Sequence, residues 1–113
     1  MSSAQEDAEP ADRLEHLRRR WMAWSELAYP EEQYRPGSRG GEVQGVDLAL
    51  AAGDFVALLD SFFTRGRLSE EELEYLRLTL CDLERALPSL ADPGRAYFYE
   101  AAELLKAIRG GIQ

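Results

Sequence analysis

Cysteine occurs once in this chain, at Cys81, and histidine once, at His16. A single thiol excludes an intrachain disulfide and fits a reducing, cytoplasmic compartment. The two residues together are too few for a zinc site, which takes about four ligands, mostly Cys and His. A di-iron bundle needs Glu-x-x-His pairs, and no glutamate stands three residues before His16. Long apolar runs are missing as well. None approaches the roughly 18 residues of a membrane span, and the opening MSSAQEDAEP has no apolar segment of the kind a signal peptide carries. Gly37, Gly40, Gly41 and Gly45 are not followed by Gly-Lys-Ser/Thr, so they do not make a phosphate-binding loop.

Positive charge is also in short supply. Thirteen Lys and Arg stand against 21 Asp and Glu, a formal net charge of −8. That excess repels phosphate backbones and anionic membranes. The expected partner is therefore another protein with a basic surface, with no nucleic acid and no membrane. The 113 residues give room for one domain, and 45% apolar content is too high for a chain disordered throughout.

Residues 1–9 are small, polar and acidic, and read as a disordered tail. Pro10 suits the first turn of a helix. Leu14, Leu17, Trp21, Trp24 and Ala28 then recur at spacings of three, four, three and four. This is the apolar stripe of a helix over about 10–29, limited by Pro30. The next sixteen residues, PEEQYRPGSRGGEVQG, hold two prolines and four glycines with no helical period and little strand character. They read as a long loop between the first two helices. A second helix within 47–65 spreads Leu48, Ala52, Phe55, Val56, Leu58, Leu59, Phe62 and Phe63 over nearly half its circumference, with Asp54, Ala57, Asp60 and Thr64 opposite. So wide a face needs more than one neighbour. Gly53-Asp54 is the alternative place for a break or the true start of this helix, and Gly66 is a stop.

In RGRLSEEELEYLRLTL, Ser69 and Glu72 have the spacing of a capping box, flanked by Leu68 and Leu73 as a hydrophobic staple. Glu70, Glu71 and Glu74 fall in or beside the first turn, where the positive end of the helix dipole favours anions. Leu73, Leu76, Leu80, Leu83 and Leu87 repeat toward the core, and Pro88 closes a helix over about 69–87. A fourth helix, about 93–109, opens on Asp92-Pro93 as cap and first residue. It buries Tyr97, Phe98, Ala101, Leu104, Leu105 and Ile108 and stops at Gly110. Four one-faced helices and no convincing strand predict an all-α, four-helix bundle-like single domain over 10–113.

The first-turn glutamates are expected to be exposed and ionised. A raised carboxylate pKa needs burial or a close like charge, so they are a poor acid–base pair. Cys81 lies off the leucine seam, and only His16 is available to activate it. Neither catalytic residues, nor a metal, nor a cofactor are expected, and the protein reads as a non-enzyme. RLEHLRRRWMAW interleaves arginine with tryptophan, as single-strand binders do. However, Trp21 and Trp24 fall on the core stripe, Arg18 and Arg20 flank it with their stems along it, and only Arg19 points squarely outward. One patch departs from a plain bundle. Leu78 lies opposite the leucine seam with Tyr75 nearby, and Glu71, Glu74, Asp82 and Arg85 share that outer face. Glu71, Glu74, Tyr75, Leu78 and Asp82 are the candidate partner-binding residues, an apolar centre in an acidic rim. The competing reading is that the long loop, the tail or a second subunit covers Tyr75 and Leu78, which in the last case makes a structural homodimer.

The stretch FVALLDSFFTRGRLSEEELEYLRLTLCDLERALPSL, with the later GRAYFYEAAELLKAI, resembles small helical toxin-immunity proteins of high-GC bacteria. The likeness spans residues 47–109. It rests on the Arg65-Gly66-Arg67-Leu68 turn, the Asp82-Leu83-Glu84 and Leu87-Pro88 positions, and the Tyr97-Phe98 pair. It implies a helical fold and an inhibitor that occludes a basic toxin, and carries no functional residue across. A small adaptor or a transcription-linked regulator is the alternative within the same protein-binding class.

Overall fold

Helix ends are local events, and here the capping chemistry places them. In the computed structural model, which describes residues 10–31, 33–34 and 41–112, four α-helices carry the fold: α1 (Pro10–Ser25), α2 (Leu48–Arg65), α3 (Glu70–Ala86) and α4 (Gly94–Ile112). The Asp47 carboxylate accepts from the Leu50 N–H at 3.1 Å and starts α2. Gly66 ends it in the left-handed region, φ 85°, donating its N–H to the Phe62 carbonyl at 2.7 Å. The capping box of α3 is complete. The Ser69 hydroxyl accepts from the Glu72 N–H at 3.1 Å, and the Glu72 carboxylate accepts from the Ser69 N–H at 2.8 Å. A short 3-10 turn, Leu87–Ser89, follows α3 at Pro88.

α3 packs against both α2 and α4, α2 also meets α4, and α1 lies along α4. The core between them holds Phe55, Leu59, Phe62, Leu76, Leu80, Leu83, Phe98, Leu104, Leu105 and Ile108, all essentially without solvent contact. Trp24 joins α1 to this core. Its ring meets Phe55 at 4.6 Å and Tyr97 at 4.5 Å, and its indole N–H donates to the Tyr97 carbonyl at 2.8 Å. The arginines of α1 lie as their spacing predicts. Arg20 makes a two-pronged pair with Glu100 of α4, at 2.9 and 3.0 Å, and Arg18 sits over the Phe63 ring of α2. Arg19 turns outward to Glu15.

Five expectations need correction. First, α1 ends at Ser25 and not near Tyr29, so Ala28 is exposed and not part of the buried stripe. The last turn tightens, Glu26 and Leu27 donating their N–H to the carbonyls three residues back, Ala23 and Trp24, at 3.3 and 3.0 Å. Tyr29 instead turns toward α4, its ring edge on Tyr97 and Phe98 and its hydroxyl donating to the Tyr34 carbonyl at 2.6 Å. Second, the loop contains a small antiparallel hairpin, β1 (Glu42–Val43) and β2 (Val46–Asp47). Gln44 and Gly45 both take positive φ, 53° and 77°, which is the geometry of a two-residue hairpin turn. Third, Gly53-Asp54 neither breaks nor starts α2, and Val56, expected on its buried face, is exposed. Fourth, α4 begins at Gly94 and not Pro93, and its cap is not Asp92. The Gly94 N–H donates to Oε1 of Gln33, 61 residues earlier, at 2.7 Å. Fifth, Gly110 does not take the left-handed conformation, and α4 continues to Ile112. The tail over residues 1–9, and residues 32 and 35–40 of the loop, lie outside the described residues.

Gln33 and Tyr34 form a latch on the start of α4. The Gln33 amide donates to the carbonyls of Ala91 and Asp92, at 3.0 and 3.2 Å. The Ala91 N–H donates to the Tyr34 hydroxyl at 3.3 Å, and the buried Tyr34 ring meets Phe98 edge-on at 6.1 Å. Gly94 has no side chain because none fits there. A Cβ would overlap the Tyr34 ring and stand 2.8 Å from Gln33 Oε1.

Candidate functional site

Adjacent glutamates at the start of α3 have different surroundings. Glu72 is turned inward to the α2 side. It accepts from the Ser69 amide, from the Ser61 hydroxyl at 2.7 Å and from Arg65. The Ser69 amide first, then Ser61, holds its pKa down at about 2. It is a structural residue. Glu71 points to solvent and, like Glu70, makes no ion pair with any described residue.

The five candidate residues lie together on the outer face of α3. Leu78 is 48% exposed and Tyr75 44% exposed. The Tyr75 hydroxyl donates to Asp54 Oδ1 on α2 at 2.5 Å, a bond that raises its pKa. Glu74 is paired with Arg77, at 2.6 and 3.1 Å, and that pair lowers the Glu74 pKa. Asp82 pairs with Arg85 at 3.2 Å. Two of the three candidate acids are thus partly neutralised by their own helix, and Glu71 is left as the unpaired one. Exposed i,i+3 pairs of this kind are weak and screened by solvent, so an incoming cation can displace them.

Charge is nonetheless unevenly shared. α3 carries six carboxylates and two arginines, net −4. α1 carries four arginines against Asp12 and Glu15, net +2. α4 carries Arg95, Lys106 and Arg109 against Glu100 and Glu103, net +1. α2 carries Asp54 and Asp60 against Arg65, net −1, so α3 is the most acidic of the four helices, and the rest of the negative charge lies in residues 1–9 and in the connections. Sequence spacing placed the α3 residues on one face but missed Asp54, because its partner Tyr75 is 21 residues away and on another helix.

A concavity of about 580 Å3 opens where α1 ends against the start of α4, walled by Leu27, Tyr29, Pro30, Pro93, Ala96 and Tyr97. Burial pushes the Tyr29 hydroxyl up to about 12, so it stays protonated and serves as a donor. Ala28, Glu31 and Gln33 complete the wall. Among the described residues no three His, Cys, Asp or Glu side chains converge to hold a metal ion, and no helix is long and apolar enough to cross a membrane. Comparison with known proteins returns no matching family model, no matching curated protein and no matching solved structure. The fold is an all-α, four-helix domain, and α3 is the most acidic of its helices.

Proposed function

We propose that this chain is a non-enzymatic, acidic, helical protein-binding module that docks a basic partner through the outer face of α3. The observation that carries the reading is the coincidence of Tyr75 and Leu78, both near half exposed, with Glu71, Glu74 and Asp82 on the one helix of net −4. A partner of opposite charge is steered to that side and away from α1 and α4, which raises the rate of encounter. The aromatic and the leucine supply contact area at the centre, where binding energy concentrates.

The concrete form we favour is an immunity-type inhibitor, acting in the cytoplasm by covering the working surface of a basic toxin. Co-expression with a toxic basic protein encoded beside its gene tests this. Growth should be restored by the natural chain and lost with Tyr75→Ser and Leu78→Ser together, while the melting temperature stays nearly the same. Protection that ignores these two substitutions would discard the α3 face. A dimer in light scattering that dissociates in the same double variant would reassign the face to self-pairing.

A further inference from the structure

The outer face of α3 does not stop at α3. α2 and α3 run antiparallel, since Tyr75 meets Asp54 whereas Glu72, earlier in α3, meets Ser61 and Arg65, later in α2. One turn beyond the Tyr75–Asp54 bond, in the same direction, stand Leu78 on α3 and Leu50 on α2. Leu50 is 62% exposed, the most exposed large apolar side chain among the described residues. Packed helices lie about 8–10 Å apart, and a helix with its side chains is about 10–12 Å across. Leu50, Tyr75 and Leu78 therefore fit under a single bound helix. Val56 stands two residues from Asp54, on the opposite flank of α2, while Met22 and Tyr99 belong to α1 and α4.

We propose that Leu50 of α2 and Leu78 of α3, joined by the Tyr75–Asp54 bond, form a two-helix seam that takes an amphipathic helix of the partner, apolar on one face and flanked by Lys or Arg. The proposal rests on the reading that the α3 face binds a basic protein, and adds the second helix and the shape of the occupant. Charge complementarity argues for a cationic helix. Glu71 is unpaired on one side of the seam, and Asp54 on the other engages only Oδ1. Tyr75 and Leu78, three residues apart on α3, with Leu50 across from them on α2, match apolar anchors at i and i+3 or i+4 of a helix laid along the seam.

The probe is a pair of synthetic Leu/Lys peptides of identical composition, one with leucines at helical spacing and one scrambled, titrated into the isotope-labelled full chain by NMR. The patterned peptide should bind at least about tenfold more tightly than the scrambled one. Leu50→Ser and Leu78→Ser should each weaken it about five- to tenfold, as central apolar anchors do, and Met22→Ser should not. Shift changes should centre on the amides of Leu50 and Leu78. If Leu78→Ser weakens binding and Leu50→Ser does not, the seam is wrong and the α3 face stands. If neither matters, both are wrong. Equal binding of the scrambled peptide means attraction by charge alone and overturns the helical occupant.

Discussion

Tyr34 and Tyr75 each use the hydroxyl to reach a distant part of the chain, Tyr34 accepting from the Ala91 N–H and Tyr75 donating to Asp54. Their surroundings differ. The Tyr34 ring is buried beside Phe98 and pressed against Gly94, with Gln33 capping the helix next to it. The Tyr75 ring stands in water beside Leu78 and Glu71. A hydrogen bond that replaces water contributes little, whereas a bond enclosed with packed rings cannot be lost without leaving a void or an unpaired group. The latch at the start of α4 belongs to the folding of the molecule. The α3 face is free to serve something else.

The comparison breaks most visibly at Gly94. Gly94→Ala puts a methyl into the Tyr34 ring and should cost about 1–3 kcal/mol in urea or thermal unfolding, as overpacking does. An unchanged midpoint would mean that the latch gives way freely and is no part of the core.

The middle of the range is the α3 cap. Ser69→Ala should cost about 1 kcal/mol. Its neighbour Glu72 makes the cap pH-sensitive. The folded carboxyl takes its proton only near pH 2, down from an ordinary 4.5. Between these values the unfolded state binds more protons, so stability is fully present above about pH 4.5 and is lost as pH falls through about 2. Glu72→Gln should flatten that part of the stability profile. A profile that is the same in both proteins would take Glu72 out of the cap.

The smallest effect belongs to the exposed face. Leu78→Ser should move stability by no more than about 0.5 kcal/mol, since surface substitutions rarely do more. A loss several times larger would place Leu78 in a contact and return the face to the fold.

Reading from residues alone reached furthest where partners are close in the chain. Ser69 and Glu72 are three apart, the leucines of α3 recur every turn, and Gly66 stops a helix through its own φ. These depend on helix geometry, which is the same in every protein. The arginines of α1 were placed correctly for the same reason. Asp92-Pro93 misled because a good local cap was outcompeted by Gln33, 61 residues away. Val56 misled because periodicity says which residues share a face and not how far a neighbour extends over it. The hairpin was missed because two residues per strand are too few for an alternating pattern to show.

The candidate face divides along the same line. That Glu71, Tyr75 and Leu78 share one side of a helix follows from 3.6 residues per turn. That Tyr75 reaches Asp54, bringing α2 and Leu50 beside it, depends on the antiparallel packing of two helices. Short-range geometry is set by bond angles and backbone hydrogen bonds that each segment carries with it. Long-range pairing is chosen by the shared burial of four apolar faces, a many-body fit that no single segment contains.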